Sequence, residues 1–333
     1  MTVAPPGPVR CLIVGEFPAP DLELIRRELP AGRVELVLTG AGEDLSRLGQ
    51  FQVIWRLFPA TLDGDSLDLF PAALHAHPEV QWVHTASAGI DHLAQQFADR
   101  SGTILTHSAG VAAIPIAEFV VGCLLQHCKR SNELAQLQLA RRFVQLPLRE
   151  LADLRVVLFG LGEIATEVAR RLSAFGCRVD GVRRDPTRPG PPGVSQVFGF
   201  PKLAQACRGA DALVLAAPLT RVTERAVNAE VLAELFPQSV LVNVARGGLV
   251  DEESLLLAVA AGRPAAAYLD AFVQEPLPVN SPLWAAAGIH VSPHLSWSSP
   301  HLARRTTQLF LDQLRRWLEG EPLRNLADPQ LGY

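Results

Sequence analysis

The chain has no cysteine pattern that could staple it. Its five cysteines, Cys11, Cys123, Cys128, Cys177 and Cys207, are scattered, odd in number and form no CxxC pair. They read as small buried hydrophobes in a reducing compartment, which excludes a disulfide scaffold. Positive charge is not in excess: 30 Lys plus Arg stand against 34 Asp plus Glu, a formal net charge of −4. That balance offers no general attraction to nucleic acid or to an anionic membrane. No apolar run reaches bilayer length. The longest, Val111 to Leu125, is interrupted by Pro115 and Glu118 and is too short to span. The segment Met1–Pro8 lacks the charged-then-apolar build of a signal peptide. A soluble cytoplasmic protein is therefore expected. Internal repeats are missing, and low complexity is limited to Pro186–Gly193, a Pro/Gly-rich loop. His75 and His77 have no acidic or cysteine companion at fitting spacing, so no metal site is expected.

What is present is a chain of 333 residues, 48% hydrophobic, long enough for two domains with sizeable cores. Strand-like and helix-like segments alternate, which argues for parallel sheets built from βαβ units. A first set of strands runs through Cys11–Val14, Val34–Leu38, Phe51–Leu57, Val80–Ala86 and Ile104–Thr106. Helical patterns at Leu22–Leu29 and Ser66–Ala76 lie among them. Two helical stretches, Ile116–Lys129 and Asn132–Phe143, lead to a second set at Arg155–Phe159, Cys177–Val182, Ala212–Ala217, Val240–Val244, Ala266–Leu269 and Ile289–Val291. The last helix, about Pro300–Glu319, has no strand after it. With Leu302, Leu309, Leu314, Trp317 and Leu318 on one face, it must pack on something already built. The expected fold class is α/β, with two Rossmann-like or flavodoxin-like domains, parallel sheets and an interdomain cleft. The expected boundaries are 1–109 with 297–333 for a substrate-binding domain and 110–296 for a dinucleotide-binding domain. The surplus helix of Val111–Phe143, with Phe119, Val120, Leu124 and Leu125 on its apolar face, predicts a homodimer, since two-fold pairs are the commonest assembly.

The segment Gly160-Leu161-Gly162-Glu163-Ile164-Ala165 follows one predicted strand and opens a helix. Gly160 permits the tight turn, Gly162 lets a pyrophosphate approach the backbone, and Ala165 allows close helix–strand packing. The helix N-terminus offers N–H groups and positive dipole to phosphate. NAD sites usually end the next strand with an acid for the ribose 2′-hydroxyl. Here Asp180 lies inside the strand and Asp185 lies past it, while Arg183 and Arg184 occupy the tip. Guanidinium groups suit a 2′-phosphate, so NADP(H) is the expected cofactor. NAD(H) held by Asp185 beside two solvated arginines is the alternative.

Three further residues sit just past short apolar runs: Arg246 in Asn243–Gly248, Glu275 in Glu275-Pro276, and His294 in Ser292-Pro293-His294. In an open α/β sheet, ligands bind at the C-terminal ends of strands. A cation to hold a carboxylate, a histidine to move a proton and an acid beside it suit reduction of a 2-keto acid. A neighbouring carboxylate favours an imidazolium, which can then supply a proton. Arg56, after Val53-Ile54-Trp55, is a candidate substrate contact, and Trp297 a candidate pocket wall. His84, His92, His107, His290 and His301 are read as non-catalytic.

Together these motifs resemble the D-isomer-specific 2-hydroxyacid dehydrogenase family, particularly its glyoxylate/hydroxypyruvate reductase branch. The resemblance runs from about Val80 to Trp317. It rests on Ser87-Ala88-Gly89-Ile90-Asp91, the glycine turn, Pro218-Leu219-Thr220, Asn243–Gly247, Leu269-Asp270-Ala271-Phe272, Glu275-Pro276 and Pro293-His294. It implies that Arg246 holds the substrate carboxylate and polarises the keto oxygen, that His294 is the proton donor, and that Glu275 pairs with it. Ser87, Ala88 and Gly89 would meet the carboxylate through backbone N–H groups. Asp270 would bind the nicotinamide carboxamide, with Gly160, Leu161, Gly162, Glu163, Ile164, Arg183, Arg184, Ala217, Pro218, Thr223 and Ala245 completing the cofactor site. Other activities in the family, on phosphoglycerate, phosphite or aromatic 2-keto acids, are alternatives. A dinucleotide-sensing, corepressor-like protein is the reading from a different class.

Overall fold

The structure, a computed structural model, describes residues 7–29, 32–39, 44–58, 69–90, 93–97, 100 and 102–328. Asp91, His92, the start of the predicted helix at Ser66 and the segment Met1–Pro6 lie outside the described residues. The chain divides into two compact units, Met1–Ala112 with Ser299–Tyr333, and Ala113–Ser298.

The first unit carries five strands: β1 (Val9–Val14), β2 (Val34–Leu38), β3 (Val53–Arg56), β4 (Trp82–Thr85) and β5 (Ile104–His107). All pair in parallel, in the order β2-β1-β3-β4-β5. β3 and β4 are buried along their whole length, as parallel strands covered on both faces must be. Helices α1 (Leu22–Glu28), α2 (Phe70–Ala76) and α3 (Ala94–Phe97) belong to this unit. Asp21 caps α1 by accepting from the Leu24 N–H at 2.9 Å, satisfying one of the orphan donors of the first turn.

The second unit opens with α4 (Ala113–Cys128) and α5 (Ser131–Leu139). Its sheet then collects β6 (Arg155–Phe159), β7 (Arg178–Arg183), β8 (Val194–Gly199), β9 (Ala212–Leu215), β10 (Val240–Asn243), β11 (Ala266–Leu269) and β12 (Ile289–Val291). The order is β12-β11-β10-β9-β6-β7-β8, all parallel. Chain direction across the sheet reverses between β6 and β9, the switch point where such sheets leave a crevice for ligand. Helices α6 (Glu163–Ala174), α7 (Leu203–Cys207), α8 (Ala229–Glu234) and α9 (Glu252–Ala260) make the crossovers. In α6 the buried residues are Ala165, Val168, Ala169 and Leu172, the spacing of one helical face.

Three sequence expectations change. β8 was read as part of no strand. It is a sheet-edge strand, half-exposed along its length, so its apolar signal is weak. The second helical stretch ends at Leu139 rather than Phe143, and Arg141 sits at φ +52°. Every residue of α5 is exposed or half-buried. In the last helix, α10 (Leu302–Glu319), the buried stripe is Thr306, Thr307, Phe310, Leu311, Gln313, Leu314, Trp317 and Leu318. Leu302 and Leu309 are only half-buried, because the face turns toward Phe310.

α10 packs within the first unit, as a strandless helix must. Phe310 stacks on Trp55 with ring centroids 4.1 Å apart and on Trp82 at 5.7 Å. The Thr307 hydroxyl accepts from the Asp21 N–H at 3.0 Å. Gly320, at φ +70°, closes the helix, a position where a side chain would be strained. All five cysteines are free and buried, and burial pushes their thiols up. Among the described residues no helix is long and apolar enough to cross a membrane.

Removing the Phe310 ring leaves a cavity between two indoles. Phe310→Ala should destabilise the first unit by about 3–5 kcal/mol. Denaturant unfolding followed by tryptophan fluorescence checks this, and an unchanged midpoint would show that α10 does not anchor the core.

Candidate active site

Three loops at the C-terminal ends of β10, β11 and β12 carry Arg246, Glu275 and His294. β10 ends in Asn243, which is 1% exposed. Its side-chain carbonyl accepts from the Ala245 N–H at 3.1 Å, and its Nδ2 donates to the Arg246 carbonyl at 3.0 Å. A single amide thus folds the backbone around Arg246. The Arg246 guanidinium is half-buried and donates from Nη1 to the Ala245 carbonyl at 2.8 Å. The next residue has to be glycine. A Cβ on Gly247 would lie 1.9 Å from the Phe272 carbonyl carbon and 2.2 Å from the Val273 nitrogen.

That close approach brings the loop after β11 against the loop after β10. Asp270, 1% exposed, follows β11. Its Oδ1 accepts from the Ser292 hydroxyl at 2.5 Å and the Leu295 N–H at 2.9 Å, and its Oδ2 accepts from the Ser296 N–H at 2.9 Å. Three donors satisfy a buried carboxylate that would otherwise be costly, and they bracket His294. His294 takes φ +50°, an uncommon backbone state for a residue with a side chain. Its Nδ1 lies 2.7 Å from Glu275 Oε2, while Glu275 Oε1 accepts from the Phe272 N–H at 2.9 Å. Burial acts to raise the Glu275 carboxyl. Its hydrogen bonds from His294 and Phe272 and the charges of His294 and Arg246 outweigh that, holding it below its ordinary value of 4.5. The fold therefore brings Arg246, Glu275, His294 and Asp270 to one edge of one sheet.

The glycine turn lies at the switch point of the same sheet. Gly160 takes φ +97°, and a Cβ there would meet the Ala217 nitrogen at 2.5 Å. Its N–H donates to the Val182 carbonyl at 2.8 Å. Gly162 caps α6, and a Cβ added there would meet nothing within 4 Å. Leu161, Glu163 and Ile164 complete this turn. Ala217 and Pro218 follow β9, where the buried Thr223 hydroxyl donates to the Pro218 carbonyl at 2.7 Å. A tight turn at a helix N-terminus, without a Cβ at Gly160 or Gly162, fits the pyrophosphate of a dinucleotide.

Within β7, Asp180 points inward. It is fully buried and accepts from Arg155 Nε at 2.9 Å. Asp185 closes its own turn, accepting from the Thr187 N–H and hydroxyl. Hydrogen bonds from Thr187 lower its carboxyl. Arg183 is half-buried and donates to the Pro189 carbonyl at 3.4 Å. Arg184 lines a depression of about 390 Å³ with Lys202, Gln196 and Gln205. Lys202 and the β8 side of this depression escaped the sequence reading.

In the first unit, Ser87, Ala88 and Gly89 follow β4. Ser87 is 8% exposed. Arg56 ends β3, 4% exposed, with its guanidinium over the rings of Phe58 and Phe70. Trp297 is half-buried in the loop after His294. His84 is buried in the core and burial, with His107, drops its imidazole to about 3. His77 lies 3.7 Å from Glu79, and burial lowers it. Among the described residues no group of three His, Cys, Asp or Glu could hold a metal ion. Asn243 and Ser292 went unassigned in the sequence. Their one signal is a polar residue at the end of an apolar strand beside a charged one.

Two adjacent glycines make a sharp contrast. A Cβ on Gly247 meets backbone, whereas one on Gly248 meets only the end of the Leu219 side chain, at 2.9 Å. Gly247→Ala should exceed the ~1–3 kcal/mol typical of overpacking, and Gly248→Ala should stay at or below it. Melting temperatures of the two variants check this. Equal values would mean that the backbone at Phe272 yields freely.

Residues 121–296, more than half of the chain, match the family model described as D-isomer specific 2-hydroxyacid dehydrogenase, NAD binding domain. A glyoxylate reductase of Thermofilum pendens is 31% identical over 257 residues, covering 74% of this chain and 75% of the relative. A glyoxylate reductase/hydroxypyruvate reductase of Homo sapiens is 31% identical over 248 residues, 72% of this chain and 75% of the relative. The crystal structure of a D-isomer specific 2-hydroxyacid dehydrogenase of Xanthobacter autotrophicus, in complex with NADPH and MES, is 28% identical with a TM-score of 0.83, covering 98% of this chain and 100% of that one. With the glycine turn at its switch point and the Arg246, Glu275 and His294 loops at one sheet edge, the chain belongs to the D-isomer-specific 2-hydroxyacid dehydrogenase family.

Proposed function

We propose that this protein reduces a small 2-keto acid of the glyoxylate or hydroxypyruvate type to the D-2-hydroxy acid, with NADP(H) preferred over NAD(H). The observation that carries the reading is the 2.7 Å contact of His294 Nδ1 with Glu275 Oε2, on the sheet edge that also presents Arg246. The bound nicotinamide supplies the hydride. His294 gives the proton: Glu275 holds Nδ1, which leaves Nε2 to donate to the substrate oxygen as it gains charge. In oxidation the same nitrogen takes the proton back. Arg246 pairs with the substrate carboxylate and polarises the keto oxygen. Ser87, Ala88 and Gly89 are assigned to the substrate carboxylate through their N–H groups. Asp270 holds the His294 loop and is assigned to the nicotinamide carboxamide. The names of the T. pendens and human relatives support the substrate class.

The cofactor assignment rests on charge. Asp180 and Asp185 are both engaged elsewhere, while Arg183 ends β7 and Arg184 follows it. The NADPH of the X. autotrophicus relative supports it. We also assign a homodimer, paired through the region 111–143 and the nucleotide-binding unit. The expected apolar face is largely covered within the chain, since Val120 and Leu124 are fully buried and Phe119 and Leu125 half-buried; the surface left for a second copy is further along, where Leu139 is 77% exposed and Phe143 fully so. An adjoining groove of about 1050 Å³ is lined by Phe119, Leu125, Tyr268, Trp284 and Ile289.

His294→Ala should lower turnover ~10²–10⁴-fold, and near-normal reduction of glyoxylate would assign the proton to another group. Glu275 titrates below 4.5. Its folded-state value is depressed, so the carboxylate that holds His294 Nδ1 persists above that range and is lost only as pH falls through the lowered value. Initial rates of reduction should accordingly show no Glu275-dependent acid limb above pH ~5, and a limb there that disappears in Glu275→Gln would contradict this.

Each well-formed arginine–phosphate bond is worth ~1.5–3 kcal/mol, which predicts at least a ~tenfold preference for NADPH in kcat/KM. Arg183→Asp should shift preference toward NADH. Equal kcat/KM for both cofactors in the wild type, or no change in the variant, would reduce these arginines to a solvated pair. Sedimentation at micromolar concentration should show a dimer that Phe143→Asp weakens, and a wild-type monomer would end the assembly proposal.

A further inference from the structure

Behind the Ser87–Gly89 loop, the first unit buries a chain of polar side chains that a parallel α/β core does not require. His84 and Thr106 face each other across β4 and β5, and both are fully buried. The proton positions follow from the donors available. The Trp82 indole can only donate, and its Nε1 lies 2.8 Å from Thr106 Oγ1. Ser108 has one proton, and its hydroxyl donates to the Thr85 carbonyl at 2.8 Å. Ser108 Oγ must then accept from His84 Nε2, 3.2 Å away. With its proton on Nε2, His84 has a free lone pair on Nδ1, which takes the Thr106 hydroxyl at 2.8 Å. The bonds run head to tail from Trp82 through Thr106, His84 and Ser108 to the Thr85 carbonyl. Chains of this kind reinforce one another in a low-dielectric interior.

The far end of the chain grips the approach to the loop. Ser108 holds two alternate carbonyls, Thr85 through its hydroxyl and Ser87 through its N–H at 2.9 Å. The Thr85 and Ser87 hydroxyls are bonded to each other at 2.9 Å. Ser108 is itself fixed from outside. Asn325 Nδ2 donates to the carbonyls of His107 and Ala109, at 3.1 and 3.2 Å, on either side of it.

We propose that Ser108, held by His84, is a positioning residue that sets the Ser87–Gly89 backbone for the carboxylate of the substrate. This rests on the reading of that loop as the carboxylate site. A carboxylate bound alike in substrate and transition state contributes to KM rather than to kcat. Loosening its cradle therefore has a specific kinetic signature.

Ser108→Ala removes the hydroxyl and keeps the N–H bond to Ser87. It should raise KM for glyoxylate about tenfold, leave kcat within about twofold and leave KM for NADPH unchanged. Ser108→Thr, which keeps the hydroxyl, should restore KM, and His84→Leu should mimic Ser108→Ala. A lowered melting temperature with unchanged KM for glyoxylate would overturn the proposal by making the chain purely structural. Equal rises in KM for both substrates, or no rescue by threonine, would overturn it as well. If the alanine variant does not fold, Ser108→Cys supplies the same comparison with a weaker donor. Ala88→Pro deletes a loop N–H directly and separates the two readings. A raised KM in Ala88→Pro with a normal KM in Ser108→Ala defeats only the positioning role. An unchanged KM in Ala88→Pro defeats the carboxylate loop itself.

Discussion

The buried carboxylate of Asp270 is the constraint on which the sheet edge that carries Arg246, Glu275 and His294 depends. A charge removed from water has to be met by donors, and the three that meet it come from Ser292, Leu295 and Ser296. Those residues lie on both sides of His294, so neutralising one charge fixes the loop that presents the imidazole. The uncommon backbone of His294, at φ +50°, is held by these bonds. Glu275 completes the arrangement with one oxygen on the Phe272 N–H and the other on the imidazole. A carboxylate tied on both oxygens orients the ring as well as pairing with it.

The parallel sheet explains why these groups are neighbours at all. Parallel strands all end on the same side, so the loops after β10, β11 and β12 emerge together, as does the glycine turn after β6. Two glycines set the spacing. Gly160 brings its turn against Ala217, and Gly247 brings the Arg246 loop against Phe272, each at a distance that excludes a Cβ. Small residues here are a requirement of backbone approach rather than of flexibility. Asn243 then folds the Arg246 segment with two hydrogen bonds from one amide.

Charge placement separates carboxylates held by the fold from cations at its rim. Asp180 is buried against Arg155 and serves the sheet. Asp185 serves its own turn. Arg183 donates to the Pro189 carbonyl, and Arg184 shares a depression with a second cation, Lys202. In the first unit the polar core around His84 follows the opposite logic. Burial keeps the imidazole neutral, and neutrality is what lets it accept from Thr106 while donating to Ser108.

The residues alone determined the α/β class and nearly all of the strands, because buried parallel strands read as short apolar runs between helical patterns. They also marked the glycine turn and placed Arg246, Glu275 and His294 in loops that follow strands, because short apolar runs show where each strand ends. The edge strand β8 was not legible, since a half-exposed strand has too weak an apolar pattern. Phe310 was missed as the anchor of α10, because periodicity gives a helix face only to within a residue or two. Asn243, Ser292 and Ser108 were not legible either. Their importance lies in which groups they meet, across separations as long as the 24 residues from His84 to Ser108. Only the tertiary structure could decide those partners, because hydrogen bonds between loops depend on where strands lie side by side and not on the order in which they are written.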